Sequence, residues 1–260
     1  MIHYIIKNKP TRLFLILGGF FIANALIAEV IGVKIFSLEQ TFGFKPFNFS
    51  LLGEDGLSFS LTAGVLLWPV VFVMTDVINE YYGMRGVRFL SFLAAGLIGF
   101  AFLAFFVSIH LTAPDWWLAS SQQKGVDNMQ NAYRAVLGQS NWIIAGSLVA
   151  FLIGQIVDVF TFHKIKKMTG EKKIWLRATG STFVSQFIDS YVVLVIAFYI
   201  GANWSIQTVL AIGTVNYFYK FFMAIVMTPV IYIIHHWIEE YLGKEVAAEM
   251  KKAAMGDELN

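Results

Sequence analysis

Six stretches of about twenty mostly apolar residues dominate this chain, and that length is what a helix needs to cross a bilayer. They run at about Leu13–Ile35, Leu61–Tyr82, Phe89–Leu111, Trp142–His163, Gly180–Ile200 and Ser205–Trp237. Between them lie turn or polar signals: residues 43–56, the Tyr82-Gly83-Met84-Arg85-Gly86 turn, Pro114–Ser140 and Lys164–Lys173. The 260 residues are 57% hydrophobic and only 14% charged, with a mean hydropathy of +0.66. A soluble domain carries about 25% charged residues, so the reading is an all-α integral membrane bundle of six transmembrane helices, forming one domain over residues 1–260. Pro229 is expected to kink the last, over-long span and to leave His235 and His236 past the membrane face.

Orientation follows from the basic residues flanking the spans. Lys7, Lys9, Arg12, Arg85, Arg88, Lys164, Lys166, Lys167, Lys172, Lys173, Arg177, Lys244, Lys251 and Lys252 fall on one side. Only Lys34, Lys45, Lys124 and Arg134 fall on the other, and Lys220 lies inside a span. This excess puts both termini in the cytoplasm. Ala23-Asn24-Ala25 resembles a signal cleavage site, but the apolar stretch runs well past Ala25, so an uncleaved first helix is expected. The outward segment Pro114–Ser140 contains Trp116 and Trp117 and reads as a short interfacial helix or an ordinary loop. A net charge of +2 from nearly balanced acids and bases gives no reason to expect nucleic acid binding, and the lack of cysteine excludes disulfides and thiolate metal sites.

Polar side chains inside the spans carry the functional signal. A carboxylate at the centre of a lipid-facing helix costs about 2.5–3.5 kcal/mol, so such groups turn inward, pair, or line a wet cavity. Asp76, Asn79 and Glu80 share one helix stripe, as do Thr182, Gln186 and Asp189; Gln155 with Asp158 and Asn216 with Lys220 are spaced alike. Four such stripes are expected to face a common interior. The candidate substrate-binding residues are therefore Asp76, Asn79, Glu80, Gln155, Asp158, Ser185, Gln186, Asp189, Asn216 and Lys220. Each has a structural alternative. Asp76 and Glu80 could pair with Arg85 or Arg88, Asp158 could meet Lys164 or Lys166, and Asp189 with Lys220 could be an ion pair. Ser181 and Thr182 could bond their own backbone, and Asn24 and Asn216 could join helices.

Five acids (Glu29, Asp76, Glu80, Asp158, Asp189) against one base (Lys220) within or at the edge of spans favour a cation or a neutral solute rich in donors. Three spans followed by three would invert the second half, with Asp76/Glu80 and Asp189 on the middle helix of each half. No His-Glu-x-x-His, Gly-x-Ser-x-Gly or cysteine nucleophile suggests an enzyme. No cofactor is implied.

Thr75-Asp76-Val77-Ile78-Asn79-Glu80-Tyr81-Tyr82-Gly83, Arg177 with Ser181-Thr182, Ser185-Gln186-Phe187-Ile188-Asp189-Ser190, and Lys220 with Thr228-Pro229 and Tyr232 together resemble the vitamin uptake transporter (VUT) family. Its bacterial members are known as queuosine precursor transporters. The resemblance covers the second to the sixth span. It implies inner-membrane uptake of a purine-like solute, 7-cyano- or 7-aminomethyl-7-deazaguanine. The alternative is the substrate-binding subunit of an energy-coupling-factor importer; with no Walker motif here, ATP use would need a separate ATPase partner. Homo-oligomerisation stays open.

Overall fold

A computed structural model describes residues 7–170 and 173–256, which leaves Lys172 of the basic flank outside the described residues. Helix α1, Lys9–Ile31, starts at Asn8, whose side chain accepts the backbone N–H of Thr11, with Pro10 in the first turn. At 1.5 Å per residue it is about 34 Å long, enough for a hydrocarbon core of about 30 Å.

The segment after it is not plain linker. It forms β1 (Ile35–Ser37), a short α2 (Leu38–Thr41), β2 (Phe49–Leu51), β3 (Glu54–Leu57) and β4 (Ser60–Thr62). Strand β1 pairs antiparallel with β4, and β2 with β3. Glu39 ties the unit together by accepting the Phe59 backbone N–H at 2.8 Å. Hydropathy carries the first span to Ile35 and begins the second at Leu61; both residues lie in strands, and the next helix begins at Trp68. A short apolar run does not distinguish strand from helix, and the turn residues Asn48 and Leu52, at positive φ, close the connections.

The segment α3, Trp68–Ile109, is two helical arms that meet at Gly83, whose φ 68° and ψ −174° are not helical. The chain doubles back there. Thr75 Oγ1 and Ser91 Oγ both donate to the single carbonyl Oε1 of Gln155, at 3.1 and 3.4 Å; on one straight helix they would lie about 24 Å apart. The first arm, residues 68–82, ends beside the start of α1: the Tyr82 hydroxyl donates to Pro10 O at 2.7 Å, and its ring meets Phe14. The second arm, residues 84–109, returns along α1, with Leu90 against Gly18.

Two short helices follow, α4 (Asp115–Leu118), which carries Trp116 and Trp117, and α5 (Met129–Leu137). Helix α6 is Asn141–Thr169, and α7 is Ile174–Leu194, continued by a π-helical turn Val195–Ile200. Helix α8, Ile206–Leu242, contains Pro229, and α9 is Lys244–Gly256. His235 of α8 is buried within the protein, with Nδ1 3.1 Å from the Tyr81 hydroxyl. Among the described residues, five helices are long and apolar enough to cross a membrane: Lys9–Ile31, Trp68–Ile109, Met129–Thr169, Ile174–Ile200 and Ile206–Leu242. Small residues let them approach closely, as where Gly146 meets the Val193 carbonyl and Gly154 meets Asp189. Apolar residues such as Phe21, Val71, Val77, Ile78 and Phe151 fill the interior around α1, α3 and α6.

The Gly83 conformation is one that only glycine adopts without strain, at a cost of about 1–3 kcal/mol for any other residue. Gly83→Ala is therefore expected to lower the melting temperature of the detergent-purified protein by several degrees. Gly96→Ala, at an exposed helical position with open space around it, should leave it unchanged; equal melting of both variants with the parent would contradict a strained turn.

Candidate functional site

Most of the intramembrane polar groups are spent on one another. Glu80 of α3 is fully buried, with Oε1 2.7 Å from Arg177 Nη2 of α7 and Oε2 3.1 Å from Lys166 Nζ of α6. Arg177 also donates from Nη1 to Gly170 O at 2.8 Å, and its guanidinium lies over the Phe162 ring. Asn79 Oδ1 meets His163 Nε2 at 2.7 Å. Glu80 thus pairs with Lys166 and Arg177, not with Arg85 or Arg88, and Lys166, read as a cytoplasmic flanking charge, has no exposed surface.

One or more turns away, Gln155 accepts from Thr75 and Ser91, and Asp158 Oδ1 accepts the Ser185 hydroxyl at 2.9 Å. Among the described residues, Asp158 forms no ion pair with Lys164 or Lys166. On α7 and α8, Asp189 and Lys220 are an ion pair at 2.5 Å, and both are largely shielded. Glu29 of α1 accepts the Ser147 hydroxyl of α6. Asn216 is half-buried on α8.

Asp76 is different. It is 2% exposed, and its Oδ1 has no hydrogen-bond partner. The ionisable groups that act on it are Asp158, Glu80 and Arg177. It lines a narrow cleft between the first arm of α3, α7 and α8, together with Trp68, Phe72, Thr182, Tyr219 and Lys220. Trp68, Phe72 and Asp76 are spaced by one turn each, so they share a stripe, and the two rings stack with centroids 6.1 Å apart. The cleft therefore has an aromatic wall, an orphaned carboxylate oxygen and an ammonium group held by Asp189.

Of the residues expected at the site, Asp76 and Lys220 meet in this cleft and Asp189 joins through Lys220. Asn79, Glu80, Gln155, Asp158, Ser185, Gln186 and Asn216 do not line it. Gln186 Oε1 and Ser190 Oγ are buried without partners on the neighbouring face of α7. Sequence reasoning does not mark Trp68, Thr182 or Tyr219 as ligand contacts; the aromatic i, i+4 spacing ahead of Asp76 is the signal that could have marked Trp68.

Removing one member of a buried ion cluster leaves the others uncompensated, at about 3–5 kcal/mol. Glu80→Gln should abolish most of the monodisperse yield after purification. Adding Lys166→Met to it should restore part of that yield, because one stranded cation is removed; no recovery would show that the Lys166 contact carries little of the cost.

Residues 62–234 match the family model described as "Putative vitamin uptake transporter". A "Probable queuosine precursor transporter" of Bacillus subtilis (strain 168) is 31% identical over 180 residues, covering 67% of this chain and 72% of the relative. A second protein of that name, from Haemophilus influenzae, is 26% identical over 75% of this chain and 79% of its own. The "Queuosine precursor transporter" of Escherichia coli (strain K12) is 25% identical over 65% and 70%. No solved structure matches the chain. The breadth of the family match and the 31% identity across most of both chains place this multi-pass membrane protein among the vitamin uptake transporters.

Proposed function

We propose that the chain crosses the bacterial inner membrane six times, with both termini in the cytoplasm, and imports a queuosine precursor, 7-cyano- or 7-aminomethyl-7-deazaguanine, through the cleft at Asp76. Six crossings follow if each arm of α3 is counted separately, since the chain reverses at Gly83, and the basic residues then gather on one side. The names of the relatives support the solute class.

The observation that carries this reading is the unpartnered Oδ1 of buried Asp76 beside the stacked Trp68 and Phe72. A deazaguanine presents a ring N–H and an exocyclic amine side by side, and a carboxylate accepts both as a bidentate, charge-assisted pair. The flat bicycle stacks on the aromatic wall. Lys220, oriented by Asp189, offers a donor to the carbonyl oxygen of the base. In this reading Asp76 and Lys220 touch the solute, while Asn79, Glu80, Gln155 and Ser185 hold the surrounding helices in register.

Uptake of labelled 7-cyano-7-deazaguanine into vesicles containing only the purified chain tests this directly. A charged hydrogen-bond pair is worth about 1.5–3 kcal/mol, so Asp76→Asn should weaken uptake by about 10- to 100-fold without changing the melting temperature. Parental uptake by that variant would remove Asp76 from the site. Uptake by the chain alone, without ATP, would also separate a self-sufficient carrier from a capturing subunit that relies on an ATPase.

A further inference from the structure

A groove away from the Asp76 cleft shares none of its lining residues. It has a free volume of about 370 Å³ and runs between the second arm of α3 and the start of α6, closed at one end by the end of α5. Phe102, Phe106 and Ile109 line one wall, and Ile144, Ala145 and Leu148 the other. Both walls belong to helices long and apolar enough to cross a membrane. From Ile109 to Phe102, and from Asn141 to Leu148, the walls descend about 10 Å, out of the roughly 15 Å of hydrocarbon in one leaflet. The polar lining collects at one end, at Gln139 and Asn141.

Helix α5 fixes the depth of that end. Gln130 donates from Nε2 to Ile109 O at 2.7 Å, and the Tyr133 and Ser108 hydroxyls are 3.0 Å apart, so α5 is tied to the last turn of α3. The Tyr133 ring meets Trp117 edge-on, with centroids 6.2 Å apart, and Trp116 is exposed. Tryptophan and tyrosine gather at the membrane–water interface, which sets α5 at headgroup level and the apolar walls below it in hydrocarbon. Arg134 follows Tyr133 on this helix. It is exposed and has no ion-pair partner among the described residues. Its stem stands over the groove end, since a Cβ added at Gly138 would be 3.4 Å from Arg134 Cγ.

We propose that this groove binds one anionic glycerophospholipid, with an acyl chain against Phe106, Ala145 and Leu148 and the phosphate on Arg134. The planar guanidinium takes a phosphate as a bidentate, charge-assisted pair. A zwitterionic headgroup brings an ammonium that the same guanidinium repels, so the net charge of the lipid decides which one stays. The apolar walls offer water no partners, whereas a seated chain gains dispersion contacts with both helices. The lipid fastens α5, the second arm of α3 and α6 to one another at the end remote from Gly83, without touching the residues that line the Asp76 cleft.

Native mass spectrometry of the detergent-purified full chain, titrated with phosphatidylglycerol or phosphatidylcholine of identical acyl chains, tests the site. The parent should retain one phosphatidylglycerol in preference to phosphatidylcholine. Arg134→Gln should weaken phosphatidylglycerol binding about fivefold, the share of one basic residue facing an anionic lipid surface, and should erase the preference. Ala145→Trp, which fills the groove from an exposed position, should remove the retained lipid of either kind. Equal retention by the parent, Arg134→Gln and Ala145→Trp would mean annular lipid only and overturn the proposal. A retained lipid indifferent to its headgroup would overturn it too, as would a dimer that Ala145→Trp disperses, which would give the groove to a second copy of the chain. Should Ala145→Trp fail to fold, headgroup competition in the parent and in Arg134→Gln decides alone.

Discussion

Burying the Glu80 carboxylate between Arg177 and Lys166 is the constraint on which the rest of this bundle depends. Three formal charges with no exposed surface sit where α3, α6 and α7 converge. Ion clusters of this kind contribute little net stability compared with apolar packing, yet they tolerate only one arrangement, because any slip strands a charge. The triad therefore sets the relative height of three helices. Once those are placed, the Asn79–His163 and Ser185–Asp158 bonds close between the same elements. The first arm of α3 is then held so that Asp76, one turn from Glu80, faces the cleft instead of lipid.

The bundle separates polar groups by purpose. Gln155 and Glu80 are engaged by side chains of other elements, as expected of groups that join helices where no water competes. Asp76 has a buried oxygen without a hydrogen-bond partner and lines the cleft. Lys220 occupies the opposite case: it lines the same cleft but is tied to Asp189, which keeps its charge from neutralising Asp76 outright. The carboxylate and the ammonium thus line one cleft without being each other's ion-pair partner.

Much of this is legible from residues alone, and the failures have physical causes. Long apolar runs identify membrane helices because backbone groups in hydrocarbon have no other means of satisfaction, and stripe spacing by itself marks Asp76, Asp189 and Lys220. Partner choice is not legible. Arg85 is near Glu80 in sequence but Arg177 is the partner, and nothing local announces a contact between residues on different helices. Lys166 resembles an aqueous charge because it follows an apolar run, whereas α6 continues to Thr169 and carries it inside. The strands at Ile35–Ser37 and Ser60–Thr62 merge into the ends of predicted spans because hydropathy has no sensitivity to period over so few residues.

The reversal at Gly83 uses no connecting loop. Helix runs up to Gly83 on one side and resumes directly after it on the other, so a single residue joins the two arms of α3. Trp68, Phe72 and Asp76 all belong to the first arm, so any displacement of that arm carries the stacked rings and the carboxylate as one unit.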